Sequence, residues 1–160
     1  MLVLTPEQFQ QRLEKHAQEL SKLIQDDLPI IIGKMAVDHF KLNFQNEAWG
    51  REKWPDVKRR SKVKYGNRGN ALSSQKASVS RKILSGDTGQ LGRSIQYTPL
   101  SGRVIVHSDL IYAAVHNYGL RAGRGAGFIM PKRQFIGDDP VLNEKVKTEI
   151  EKQINKILNI

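Results

Sequence analysis

Two apolar stripes, one near each end of the chain, restrict the fold more than any other feature of the sequence. Phe9, Leu13, Ala17, Leu20, Ile24 and Leu28 recur at steps of three or four, which draws a single line along an α-helix. Val146, Ile150, Ile154 and Ile157 repeat that spacing near the C-terminus. Each stripe has a start signal. Thr5, Pro6 and Gln8 form a Thr-x-x-Gln capping box with proline at the first helical position, and Asp139-Pro140 opens the last helix. Pro29 has no N–H to give, so the first helix is expected to end or kink there. A second helix is expected from Ile30 to about Gln45, with Ile32, Met35, Ala36, Phe40 and Phe44 inward and Gly33 as a weak point.

Between these helices the periods are short. Trp49-Gly50 and Trp54-Pro55 read as aromatic anchors on a turn-rich connector. Asp87-Thr88-Gly89 followed by Gln90-Leu91 reads as the cap and first turn of a short helix. Ser94–Thr98 and Arg103–His107 alternate, with Ile95 and Tyr97, then Val104 and Val106, on one side; Pro99-Leu100-Ser101-Gly102 is expected to join them as a four-residue connection. Ser108 or Asp109 is expected to cap a short helix through Ile111, Tyr112 and Val115 that closes at Gly119. Residues 119–127, with four glycines and two arginines, read as a mobile loop, and Arg133–Gly137 as a strand. The order predicts an α+β fold, a small antiparallel sheet with the N-terminal and C-terminal helices packed on one face. At 160 residues a single domain is expected.

Charge is distributed unevenly. Arg51 to Arg93 holds twelve basic residues and three acids, so this stretch carries +9 of the chain's formal +10. Within it, Val57 to Ser80 follows neither helical nor strand period, and residues 57–82 are expected to form a long flexible basic loop. Lys58, Arg59, Arg60, Lys62, Lys64 and Arg68, interleaved with Tyr65 and glycine, are candidate contacts for a phosphate backbone or an acidic protein surface. Absence of cysteine excludes disulfide frameworks, thiolate nucleophiles and Cys-based zinc sites. No apolar run reaches the roughly 20 residues needed to cross a bilayer, and the N-terminus lacks a basic-then-apolar leader, so a soluble protein without membrane contact is expected.

Catalytic chemistry finds little support. No Gly-x-Ser-x-Gly elbow occurs. His16 and His39 lie at helical positions that packing or solvent explains. His107-x-Asp109, with His116 nearby, is the nearest approach to a metal or acid–base set but lacks a third convergent ligand. The loop Gly119–Gly127 lacks the Gly-Lys-Ser/Thr ending of a phosphate-cradling loop. Asp26-Asp27 and Asp138-Asp139 each flank a proline at a helix boundary, where capping explains them. The expectation is no enzyme, no cofactor and no metal. A nucleic-acid-binding module using the 57–82 segment is the alternative, and a metal-dependent nuclease a remote one.

Three segments in order carry a resemblance. Ser85-Gly86-Asp87-Thr88-Gly89-Gln90-Leu91-Gly92-Arg93-Ser94-Ile95 comes first, then Tyr112-Ala113-Ala114-Val115-His116-Asn117-Tyr118-Gly119, then Met130-Pro131-Lys132-Arg133-Gln134-Phe135-Ile136-Gly137. Together they resemble the tailed-bacteriophage virion morphogenesis family, also described as tail-completion or head–tail neck proteins, over about Trp49 to Gly137. Gln134 departs from the proline frequent there, and the long basic segment is a further departure. The resemblance implies a structural assembly protein that forms a homo-oligomeric ring in the virion, binds other tail or neck proteins and lies near DNA. It also implies location in the virion, with assembly in the host cytoplasm. Gly89, Leu91, Tyr112, His116, Gly119, Pro131, Arg133 and Phe135 are its motif residues. Tyr112 and Phe135 are expected in the core, His116 at the carbonyls ending its helix, and Arg133 at an interface.

Overall fold

The computed structural model describes residues 5–61, 80–86 and 88–158. Lys62, Lys64, Arg68 and Asp87 lie outside the described residues. The chain is α+β, with helices joined by two-stranded antiparallel pieces, and the described residues fall into two compact units. One unit takes residues up to Val37, Tyr97–Val106 and the chain from Asp138 onward; the other takes Asp38–Gln96 and His107–Gly137.

The first unit begins with helix α1 (Pro6–Lys22). Its capping box is complete: Gln8 N–H donates to Thr5 Oγ1 at 3.2 Å, and Thr5 N–H donates to Gln8 Oε1 at 3.0 Å. Helix α2 (Leu28–Asn46) follows without a break, joined by one π-helical turn at Leu23–Asp27. Of the two outcomes expected at Pro29, an end or a kink, the end is corrected: the helix runs on through the proline. The chain widens by one residue just before the proline, and Leu28 N–H reaches back to the Leu23 carbonyl. Pro29 has no N–H for the Gln25 carbonyl, which instead accepts from Gly102 N–H at 3.1 Å, while Ser101 Oγ bonds the Gln25 amide oxygen. Ser101 and Gly102 form the turn between strands β3 (Ile95–Leu100) and β4 (Arg103–Ser108). The connection is thus two residues long, not the expected four, because pairing continues through Pro99 and Leu100. Gly102 makes this turn possible with φ of +68°.

Gly33 turns from weak point to contact: Tyr97 lies so close that a Cβ there would sit 2.2 Å from the ring. Leu23, Leu28, Ala36, Val37 and Leu142 are buried in this unit. Helix α6 (Pro140–Leu158) starts at a buried Asp139, whose carboxylate accepts from Val141 N–H at 2.8 Å. Helix α1 packs against α6 but buries none of its own residues, leaving Phe9 and Leu13 more than half exposed.

The second unit is organised around aromatic packing. Phe44 meets Trp54 edge-on at 5.5 Å and Phe135 at 5.0 Å, while Phe40 stacks on Trp49 at 6.1 Å. Strands β1 (Ala48–Trp49) and β2 (Glu52–Lys53) pair across the Gly50 turn and present Trp54 to this core, as anchor residues should. Helix α3 (Lys58–Ser61) and helix α4 (Gln90–Arg93) are single turns, and helix α5 (Ile111–Tyr118) buries Ala113 and Asn117 on one face. The cap of α5 differs from expectation. Leu110 is the capping residue and its N–H reaches Ser108 Oγ at 3.3 Å, while the Asp109 carboxylate is engaged by Gln96 and His107.

Helix α5 closes at Gly119, as expected, with φ of +71°. A Cβ there would also stand 3.0 Å from both Lys132 Cβ and the Met130 carbonyl, so geometry and space both demand glycine. The following stretch is a hairpin, not a simple loop: β5 (Arg121–Ala122) pairs with β6 (Phe128–Ile129), placing Arg121 opposite Ile129. Arg133–Gly137 is not the expected strand. Among the described residues no strand pairs with it, and from Gln134 to Ile136 side chains serve as partners instead. Phe135 N–H and Ile136 N–H both donate to Asn117 Oδ1 at 2.8 and 3.0 Å, and Asn117 Nδ2 donates to the Ile136 carbonyl at 3.0 Å. Asn43 Nδ2 donates to the Phe135 carbonyl at 3.2 Å, and Trp54 Nε1 donates to that of Gln134 at 2.8 Å. The segment carries Phe135, completely buried, into the core.

Candidate partner-binding cleft

The extended segment also fixes Arg133. Its N–H donates to the His116 carbonyl at 2.8 Å, so the residue is tied to the last turn of α5. The side chain turns inward and is only 5 % exposed. Nε donates to the Pro55 carbonyl at 2.9 Å and Nη2 to the Asp56 carbonyl at 3.1 Å. These partners are neutral oxygens. Burial pushes the guanidinium pKa below its ordinary value, the neighbouring Arg59 charge adds to that push, and Asp56 opposes it.

Arg133 lines a cleft of about 310 Å³. Leu84, Ser85, Gly86 and Thr88 contribute from the loop before α4, Gln90 and Leu91 from α4, Tyr112 and His116 from α5, and Val57 and Arg59 from around α3. All three motifs of the sequence therefore meet at one cleft. Helical spacing explains part of this: Tyr112 and His116 are one turn apart, with rings edge-to-face at 6.3 Å. Burial, then the Arg133 charge, lowers the His116 pKa, which favours a neutral imidazole near pH 7. Its Nδ1 is buried with no hydrogen-bond partner among the described residues.

The remaining candidate residues separate into structural and exposed groups. Gly89, with φ of +64°, begins α4, and its carbonyl accepts from Arg93 N–H. Leu91 and Phe135 are core, and Pro131 is exposed. Tyr112 is 41 % exposed at the cleft, so it is not the core residue expected. His116 faces the same cleft; its side chain has no hydrogen bond to the carbonyls ending its helix. Arg60 is committed to the protein itself, with Nη2 2.6 Å and Nη1 3.1 Å from the two Glu47 carboxylate oxygens. That bond is the main reason the Glu47 carboxyl lies below its usual pKa, and Ile83 N–H also donates to it. Arg59 Nη2 donates to the carbonyls of Arg81 and Lys82 at 2.8 and 2.9 Å. These two arginines join α3 to the chain beyond residue 80. Lys58 is exposed on the same turn.

Sequence reasoning passed over Asn117 and Glu47. Asn117 was detectable: it lies one turn after Ala113, on the face that α5 buries, where an amide must find partners. Glu47 had no such signal, because its role depends on a φ of +51° that a glutamate rarely adopts.

His107 Nδ1 lies 3.1 Å from Asp109 on an exposed surface, and among the described residues no group of three His, Asp or Glu side chains could hold a metal ion. Nor is any described helix long and apolar enough to cross a membrane. No curated protein matches the chain, and no solved structure does. A family model does match, across residues 10–159, covering all three motifs, both flanking helices and the cleft. The chain belongs to the phage virion morphogenesis family, and its role is structural, in virion assembly.

Proposed function

We propose that this protein completes the tail or the head–tail neck of the virion, joining copies of itself in a ring and binding neighbouring virion proteins through its basic segment and hairpin edge. Family membership carries the reading. Apolar surface left open among the described residues supports it: Ile111 is 94 % exposed, and Tyr118, Phe128 and Ile129 are each more than half exposed. Phe9 and Leu13 on α1 form a second such surface. Two different patches suit the head-to-tail contacts from which rings are built. A ring would also multiply modest contacts by effective concentration.

Native mass spectrometry and light scattering test this on the purified chain, alone and mixed with tail and neck proteins of the same phage. Assembly with at least one of them is expected, with the chain alone monomeric or oligomeric. A strict monomer that binds none refutes it. The +9 stretch favours a second reading, in which the same protein contacts DNA. Neutralising about six phosphates gives a log–log salt slope near −5 on duplex DNA. Salt-insensitive or absent binding at low ionic strength removes this reading.

A further inference from the structure

We propose that the cleft around Arg133 is a socket for an acidic side chain of a partner virion protein. In this reading the partner's carboxylate meets the guanidinium, and apolar residues beside it lie against Leu84, Leu91 and Tyr112. The proposal rests on the reading that this chain binds other virion components.

A buried cation is costly unless an anion compensates it, and buried arginines are normally paired with carboxylates. Arg133 has no carboxylate in ion-pair contact, only the Pro55 and Asp56 carbonyls. Guanidinium offers five N–H donors in a planar fork. Nε and Nη2 bond those two carbonyls, and Nη1 has no hydrogen-bond partner among the described residues. The Arg133 fork therefore has one free donor nitrogen, and among the described residues the guanidinium charge is balanced only at a distance by Asp56. A carboxylate matches that planar fork and supplies the anion that a buried guanidinium calls for.

Cleft size and lining select the ligand class. About 310 Å³ lies at the small end of ligand-site volumes, room for one side chain and part of its neighbours. Leu84, Leu91 and the Tyr112 ring offer apolar contact to the carbon atoms of a peptide, while Ser85, Thr88 and Gln90 offer polar partners to its backbone. An acidic residue flanked by apolar ones fits both features.

The test uses the full chain and three probes: the blocked tripeptide acetyl-Leu-Glu-Leu-amide, its Leu-Gln-Leu counterpart, and inorganic phosphate. Two-dimensional NMR follows the Arg133 Nε–H, the His116 ring and the Tyr112 amide. Saturable shifts at all three are expected with the glutamate probe, at least tenfold tighter than with the glutamine probe. The bound carboxylate should also move His116 titration to higher pH. Gln90→Glu places an acid at the exposed rim of the cleft, where folding is not at risk, and should weaken the glutamate probe at least tenfold. Equal response to both peptides refutes the socket, as does phosphate binding as tightly as the glutamate probe. It is also refuted if only Asp87→Asn allows probe binding, since the chain's own acid would then be the occupant. Intact virion assembly by the Gln90→Glu protein refutes the socket while leaving the family role standing. Probe binding by a chain that joins no virion component refutes the role instead.

Discussion

Asn117→Ala removes the clamp on residues 135 and 136, and its cost follows from the three bonds lost. Phe135 N–H is the severe loss, because that residue is fully buried and no water can replace the amide oxygen at 2.8 Å. A buried donor left without a partner costs about 1–3 kcal/mol. The Ile136 N–H and carbonyl are less enclosed, and each lost bond there costs about 0.5–1.5 kcal/mol. Together these place the substitution at roughly 2–6 kcal/mol, a large share of the roughly 5–15 kcal/mol that holds a domain folded. Urea unfolding followed by tryptophan fluorescence measures it, since Trp54 sits on the same segment through its bond to the Gln134 carbonyl. Asn117→Asp separates the parts: it keeps the acceptor for both N–H groups but loses the donor to the Ile136 carbonyl. Its second oxygen faces the Ile136 carbonyl as a buried charge, so it should destabilise at neutral pH and recover at low pH, where the protonated acid can donate there. A loss below about 0.5 kcal/mol for Asn117→Ala, within the usual range of a surface substitution, would show that this segment is held by Phe135 packing alone.

Further predictions concern glycine, acid and packing. Gly50→Ala and Gly119→Ala both force alanine into left-handed backbone, at φ of +59° and +71°, which costs about 1–2 kcal/mol each. Only Gly119→Ala adds a clash with Lys132 and Met130, so it should be the more destabilising by at least about 1 kcal/mol in thermal unfolding; equal effects would refute the close approach. The Glu47 carboxyl is held below its ordinary value by Arg60, so its contribution to stability is present above the ordinary glutamate pKa and is lost as pH falls through the lowered one. Glu47→Gln should flatten that acid limb of a stability–pH curve, and an unchanged slope would refute it. His116 is depressed by burial, so stability should also fall as pH drops below its ordinary value of 6.5, and His116→Gln should remove that step. Gly33→Ala should displace the Tyr97 ring and cost about 1–3 kcal/mol, visible as lower stability and a shifted Tyr97 ring resonance.

Local signals in the sequence were strong where one residue type has one job. The Thr5 box, the Asp139 start, the Gly119 stop and the two alternating strands were all legible. So were the apolar stripes that mark α1 and α6, which pack against one another. What escaped depends on partners distant in sequence. Arg133–Gly137 alternates like a strand, yet its bonds go to Asn43, Trp54 and Asn117, which no local period reveals. Residues 119–127 look like a linker by composition, but Arg121–Ala122 and Phe128–Ile129 pair because glycines allow the intervening turns. At the cleft, the motif words identified Tyr112, His116 and Arg133 together. Their separate roles were set by burial: the same guanidinium that a surface strand would have offered to a neighbour lies inside, bonded to carbonyls.

The flaw that Pro29 introduces into the long N-terminal rod acts as an address. A perfect helix keeps every carbonyl for itself and offers a passing turn nothing to hold. Here one oxygen, on Gln25, is released at one height along the rod, and the Ser101-Gly102 tip fastens there. Imperfection thereby sets where a distant ribbon lands, and sliding it by one residue would leave that oxygen stranded.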